Sequence, residues 1–265
     1  MKVLERIALV LSATAKERER ITASMERYNA EKVSEKQRSH LLVVSSLIEE
    51  SSREEDLPFE QLTIPEKRDA IILLNKRLSQ INNTQEKVSH ITRLVLQYAS
   101  TAIPPQKLVS FSYVTIDRLI EQIQAQVSAN KASATGYALF LTALSAQTNI
   151  IHLYKKVLFK SVLPLECLLG MYRVYFAVLR ESGQHKEAWQ FVSSLLNHTK
   201  KLETTFNPCV LQVFLEVLGP FMLHHYQNHW KGLLSCISTD YLPLVTSRFP
   251  TEACCIKGLL EQFGG

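Results

Sequence analysis

The sequence contains few glycines and none of the familiar catalytic motifs. Only 8 of its 265 residues are glycine, which argues against a many-stranded fold, because hairpin turns use glycine at many of their connections. A glycine-rich phosphate loop, a GxSxG elbow and an HExxH pair are all missing, so the best-known nucleotide-binding, hydrolase and zinc-protease sites are excluded. We therefore expect a non-enzymatic interaction protein.

Long apolar runs and paired metal-binding motifs are missing as well. No stretch of about 18 uninterrupted apolar residues occurs, so we expect no membrane span. The histidines in LHHYQNHWKG have no Glu or Cys at ligand spacing, so we expect no metal site. The five cysteines lack a CxxC spacing, which predicts buried, reduced thiols in a nuclear or cytosolic protein; they are Cys167, Cys209, Cys236, Cys254 and Cys255.

Charge divides the chain into two parts. Residues 1–60 hold 10 Lys and Arg against 12 Asp and Glu, so the remaining residues, with 20 against 13, carry +7. Residues 1–57 pair Glu with Lys or Arg at helical spacing and have few apolar positions. This pattern predicts a charged helical stalk, the end of a coiled coil, or a single helix packed along the domain. Pro58 and Pro65 then break the pattern, so we expect a globular domain over 58–265.

Apolar residues in that domain recur at helical spacing. In one example, Ile116, Leu119, Ile120, Ile123 and Val127 share a face of the segment 113–127. Because no repeat of fixed length is visible, we expect an all-α, irregular, HEAT-like α-solenoid. The predicted helices cover 67–81, 86–99, 113–127, 137–147, 150–159, 168–181, 186–197, 208–226, 229–237 and 252–263.

Residues at the helix ends suggest where the helices begin and stop. Asn207, Asp240 and Thr251 are predicted N-caps, with Pro208 as a first helical residue. Gly183 is predicted to end a helix in a left-handed conformation. Pro220 should kink or divide its helix.

The segment NIIHLYKKVLFKS carries a basic helix face. Burial of the apolar positions would leave Lys155, Lys156 and Lys160 pointing outward; the apolar positions are Ile150, Ile151, Tyr154, Val157 and Leu158. Such a face is either solvated or bound to an anion or an acidic partner. Basic and aromatic residues do not interleave on a strand, so we expect no sequence-specific contact with nucleic acid, and we interpret Trp189 and Trp230 as core residues.

Several segments, in order, resemble the C-terminal domain of the Gle-one-like nuclear-pore mRNA export mediators. The similar segments are LTIPEKRDAIILLNKRLSQI (62–81), DRLIEQIQAQVSANKASATGYALFL (117–141), GMYRVYFAVL (170–179), AWQFVSSLLN (188–197), FLEVLGPFMLHHYQNHWKGLL (214–234) and STDYLPLV (238–245). The resemblance extends over about residues 60–265 and implies a HEAT-like helical domain. It also implies a location at the cytoplasmic face of the nuclear pore complex, in a protein of nucleus and cytoplasm.

The resemblance implies partners and a ligand too. Members bind an mRNA-export DEAD-box ATPase and stimulate it, and they bind a phenylalanine–glycine nucleoporin. In part of the family, inositol hexakisphosphate lies between mediator and helicase. The lysine pair of HLYKK matches the family's ligand lysines, which assigns Lys155 and Lys156 to that ligand. Arg118 matches a basic residue of the preceding helix, Gln122 follows one turn later, and Lys160 extends the basic face.

Two functions therefore stand as hypotheses. In the first, the protein binds and stimulates a DEAD-box RNA-dependent ATPase during mRNA export, with inositol hexakisphosphate bridging the two proteins. In the second, it is a non-regulatory helical scaffold or adaptor of the nuclear pore or another large assembly. The loop after the lysine pair, VLFKSVLPLECLLG, is shorter than in the family, so we expect this loop to make fewer contacts with the ligand or the helicase.

Overall fold

A computed structural model describes residues 59–127, 129–160, 163–197 and 206–263, without the side chain of Lys160. Within these ranges the regular elements are helical and no strand occurs, which confirms the predicted all-α class. The predicted stalk over 1–57 lies outside the described residues. The α-helices, in chain order, are α1 (Ile64–Leu78), α2 (Gln85–Ala102), α3 (Leu108–Gln126), α4 (Ala134–Ser145), α5 (Ile150–Lys160), α6 (Leu165–Glu181), α7 (His185–Asn197), α8 (Phe206–Cys236), α9 (Leu242–Thr246) and α10 (Pro250–Gln262).

Helices that are two apart in the chain pack against each other. Helix α1 packs on α3, α2 packs on α4, and α4, α6, α8 and α10 form a continuous row. Neighbouring helices such as α1 and α2, or α6 and α7, also touch. This alternation is compatible with the predicted HEAT-like stack of helical hairpins.

Helix α6 forms the centre of the core. Every residue from Gly170 to Leu179 is buried, and the helix packs against α3, α4, α5, α7 and α8. Its aromatic rings interlock with those of α7 and α8 in edge-on and tilted contacts, which aromatic pairs prefer; the members are Tyr172, Tyr175, Phe176, Phe191, Phe206 and Phe214. A helix buried on all sides is a rigid base for the elements around it.

The apolar pattern predicted helix positions well. Helix α5 covers Ile150–Lys160 where 150–159 was expected. On α3, Ile116, Leu119 and Ile123 are buried, as the stripe predicts. Gly183 has a φ of 69°, and the Gln184 N–H donates to the Leu179 carbonyl at 2.8 Å, which confirms the left-handed end of α6.

The predicted N-caps are wrong. Helix α8 already includes Phe206 and Asn207, and α10 begins at Pro250 with Phe249 as its N-cap. Asp240 lies inside a π-helical turn, Ile237–Tyr241. The first four N–H groups of a helix have no partner in the helix, so proline is tolerated throughout the first turn and does not mark one starting residue.

Helix α8 is broken, although not at Pro220. The non-helical residue is Gln227, with φ 41° and ψ −109°, and it falls between the predicted helices 208–226 and 229–237. The segment Phe206–Thr246 is long and apolar enough to cross a membrane by length and composition, but 61% of its most apolar window is buried inside the protein. Core helices commonly have this composition, so the finding is weak evidence for a span.

The cysteine prediction is only partly right. Cys167 is buried and Cys209 half-buried, whereas Cys236, Cys254 and Cys255 are exposed; all five are free thiols. The tryptophans behave as core residues, since Trp230 is fully buried and Trp189 packs beside it at a centroid distance of 6.4 Å.

Candidate functional site

Helix α3 carries Arg118 and Gln122, which are both half-buried. The Arg118 side chain is 24% exposed, and its Nη2 lies 2.5 Å from Glu121 Oε1. Its Nε atom is buried and has no hydrogen-bond partner among the described residues. The Gln122 Oε1 accepts a hydrogen bond from Gln126 Nε2 at 3.1 Å. Arg118 therefore retains a donor that an additional acceptor would satisfy.

Lys155 of α5 does not point outward as predicted. Its side chain is 22% exposed, and its Nζ lies 2.6 Å from Glu187 Oε1 and 2.8 Å from Oε2. The buried Tyr175 hydroxyl also donates to Glu187 Oε1, at 2.6 Å. The helical period of α5 predicts that Lys155 lies on the solvent-exposed face. In the structure, Glu187 of the neighbouring helix α7 covers Lys155.

Lys156 and Lys160 are the other two lysines of the predicted basic face. Lys156 is half-buried on α5. The side chain of Lys160 lies outside the described residues, so its place in the site stays a prediction.

Helix packing brings the two halves of the predicted site onto neighbouring helices. Helix α3, with Arg118 and Gln122, packs against α5, with Lys155 and Lys156, and both pack on the central α6. Arg118 and Lys156 lie on adjacent helices, and each cation could give a charge-assisted contact to a phosphate oxygen.

Two acidic residues at this site were missed from the sequence. Glu121 pairs with Arg118 one turn away on α3, and its spacing of three residues could have revealed it. Glu187 pairs with Lys155 across 32 residues of chain, and no local pattern signals that contact. Glu187 also affects Tyr175, because burial and then the negative charge of Glu187 raise the pKa of the Tyr175 hydroxyl well above its usual value.

A second polar cluster lines a cavity of about 350 Å³ bounded by α6, α8 and the residues after α3. Arg173 lines it and forms an ion pair with Glu216. Gln212 Nε2 donates to Glu216 Oε1 at 2.9 Å, and Lys131 Nζ lies 3.4 Å from the same oxygen. Burial raises the pKa of Glu216, but the hydrogen bonds from Gln212 and Arg173 lower it by more. This network of ion pairs and hydrogen bonds connects α6 to α8.

Comparisons with known proteins agree with this architecture. Residues 165–238 match the family described as GLE1-like protein. Two solved structures of a Saccharomyces cerevisiae Dbp5 C-terminal domain variant bound to Gle1 and IP6, one of them with a Gle1 variant, have a similar fold. Each has a TM-score of 0.69 at 14% identity and covers 89% of this chain and 96% of the other. No curated protein gives a significant match.

At 14% identity the structural likeness establishes the fold, while the family match concerns the sequence of α6 to α8 and the turn that follows. The two findings are independent and concern the same domain. The predicted resemblance to the Gle-one-like family is therefore confirmed, by a GLE1-like sequence over residues 165–238 and by a helical fold similar to that of Gle1.

Proposed function

We propose that the protein is a non-enzymatic mRNA export factor that binds a DEAD-box RNA-dependent ATPase and stimulates it. It acts at the cytoplasmic face of the nuclear pore complex and also binds a phenylalanine–glycine nucleoporin. Residues 58–265 form the helical domain that contacts the ATPase, and residues 1–57 form a charged helical stalk or the end of a coiled coil. Sequence-specific nucleic-acid binding and membrane insertion have no part in this proposal.

One observation carries the proposal. The fold is similar over 89% of the chain to a Gle1 domain that is bound to Dbp5 and IP6, which supports a DEAD-box partner for this helical domain. A helical domain can stimulate such an ATPase by holding its two RecA-like lobes partly open. This requires a higher affinity for the open arrangement than for the closed one, since equal affinity would shift no equilibrium.

Inositol hexakisphosphate would bind between α3 and α5 and bridge the protein to the ATPase. Arg118 fits this role best, because its guanidinium is always charged and its pair with the exposed Glu121 is weak. Lys156 and Lys160 would add charge, and Gln122 a neutral hydrogen bond. Lys155 fits only after its contact with Glu187 is released. When bound, the ligand supplies phosphate oxygens that cations of both proteins can share.

The scaffold hypothesis has its own supporting observation. The carboxylate of Glu187 already pairs with Lys155 of another helix, as expected if this cation only holds helices together. A scaffold would have the same fold and would leave the rate of any ATPase unchanged.

Steady-state ATP turnover separates the two hypotheses. The purified chain is added to its cognate DEAD-box protein and RNA, with and without inositol hexakisphosphate. We expect turnover to rise with the amount of chain, whereas a flat response would refute the activator and leave the scaffold.

Direct binding tests the ligand. Arg118→Gln should weaken the binding of inositol hexakisphosphate by about tenfold or more, since a hydrogen bond to a charged group contributes about 1.5–3 kcal/mol. Lys257→Gln removes the same charge from an exposed position on α10 and should leave the affinity unchanged. Equal effects of the two variants would show that the ligand senses only overall charge.

A further inference from the structure

We infer that Glu187 is an internal anion that competes with the polyphosphate for Lys155 and so sets how strongly this protein responds to inositol hexakisphosphate. This inference rests on the proposed ligand site between α3 and α5. It assigns a specificity-determining role to a residue on α7, a helix that contributes no cation to the site.

The contact between Lys155 and Glu187 resembles the contact that a phosphate would make. The ammonium lies within 2.8 Å of both carboxylate oxygens, so a large part of its hydrogen-bonding capacity is used. A phosphate oxygen approaching Lys155 would meet the negative charge of Glu187, and like charges at such distances repel. The ligand must therefore displace Glu187 or bind without Lys155.

Glu187 is held in place by a third group. Tyr175 is 1% exposed, and its hydroxyl donates to Glu187 Oε1 at 2.6 Å. Glu187 also lies in the first turn of α7, where the helix dipole favours a negative charge. The bridge thus joins α5, α6 and α7, and moving the carboxylate away would break two contacts at once.

The pair formed by Arg118 offers a contrast within the same site. Glu121 is 51% exposed and lies on the same helix as Arg118, and exposed pairs contribute little because water and salt screen them. Glu187 is only 21% exposed and has the additional tyrosine contact. A polyphosphate can therefore displace Glu121 from Arg118 easily, whereas the ion pair between Lys155 and Glu187 remains.

The test is a calorimetric titration of the full chain with inositol hexakisphosphate. Glu187→Gln keeps the shape of the side chain and removes its charge, so we expect the dissociation constant to fall by about tenfold, equivalent to 1.4 kcal/mol. Glu181→Gln is the matched control: it removes the same charge from a carboxylate that pairs with Arg180 at the end of α6, and it should leave the affinity unchanged.

Lys155→Gln tests whether the gain in affinity that Glu187→Gln should give depends on Lys155. In the wild-type chain this change should alter the affinity by less than about twofold, and together with Glu187→Gln it should abolish the gain. Tyr175→Phe keeps both charges and loosens Glu187, so it should give a smaller gain. It also replaces Glu187→Gln if thermal melting shows that the Gln variant does not fold.

Several results would overturn the inference. These are an unchanged affinity in Glu187→Gln and Tyr175→Phe, an equal gain in Glu181→Gln, a strong loss of affinity in the single Lys155→Gln variant, or no binding by any variant. ATPase stimulation measured without inositol hexakisphosphate tests the proposed function alone. If ATPase stimulation is absent while the titrations give the expected affinities, the activator hypothesis is refuted and the role of Glu187 is supported.

Discussion

Replacing Gly136 by alanine should destabilise the protein by an amount that its surroundings determine. Gly136 lies in the first turn of α4, against the loop that follows α1. An added Cβ would lie 2.4 Å from the Asn82 carbonyl oxygen and 2.9 Å from Ile81 Cγ2. The carbonyl belongs to the backbone, so either the loop or the start of α4 must move. Movement would also strain the hydrogen bond from the Gly136 N–H to Asn83 Oδ1, which measures 3.1 Å.

The expected magnitude follows from opposing effects. Forcing an additional methyl group into a packed site costs about 1–3 kcal/mol, and weakening one hydrogen bond costs about 1 kcal/mol. Alanine favours helix by up to about 1 kcal/mol over glycine. The net loss in unfolding free energy should be about 1–3 kcal/mol, and each kcal/mol lowers the melting temperature by about 2–4 °C in a chain of this size.

Gly258→Ala provides the control, because it is the same substitution within α10 with no heavy atom within 4 Å of the added Cβ. It should stabilise the protein by about 0.5–1 kcal/mol. Urea unfolding followed by circular dichroism measures both variants. The reasoning fails if Gly136→Ala is as stable as the wild type, or if both variants shift in the same direction.

Three further predictions concern charged groups and thiols. Arg173→Met should lower the unfolding free energy by about 1–3 kcal/mol, because it leaves the part-buried Glu216 without its main cation; adding Glu216→Gln should restore part of the loss in urea unfolding. The Thr63 N–H and Lys107 hold the pKa of Glu66 below its usual value, so Glu66 stabilises the fold above about pH 4.3 and loses this effect as pH falls; Glu66→Gln should flatten that acid limb in thermal melts. Iodoacetamide should modify the exposed cysteines before Cys209, because burial raises the pKa of the Cys209 thiol to about 11. The exposed cysteines are Cys236, Cys254 and Cys255. Mass spectrometry measures the labelling at each site, and equal labelling of Cys209 would contradict this prediction.

The sequence predicted the positions of the helices better than their ends. Burial is averaged over several turns, so the stripe that includes Ile116 and Leu119 identifies α3 whatever its first residue is. A helix start depends on a few local groups instead. Asn207 and Thr251 are good N-cap types, but the proline beside each is equally compatible with positions one or two residues away.

The candidate site was only half predictable, for a related reason. The helical period assigns Lys155 to one side of α5, but it does not say which residue of another helix covers that side. Glu187 reaches Lys155 through tertiary packing across 32 residues of chain. The missing hydrogen-bond partner of Arg118 Nε among the described residues likewise depends on the burial of that one atom, which no residue pattern encodes.

The left-handed turn at Gly183 has a consequence for how GLE1-like proteins can diverge. The turn reverses the chain between α6 and α7, and so it places Glu187 opposite Tyr175, only twelve positions later. Adding or deleting one residue there would rotate α7 by about 100° around its axis, which would carry the carboxylate away from α5. The length of this turn thus decides whether Lys155 has an internal acidic partner, while every cation of α3 and α5 stays the same.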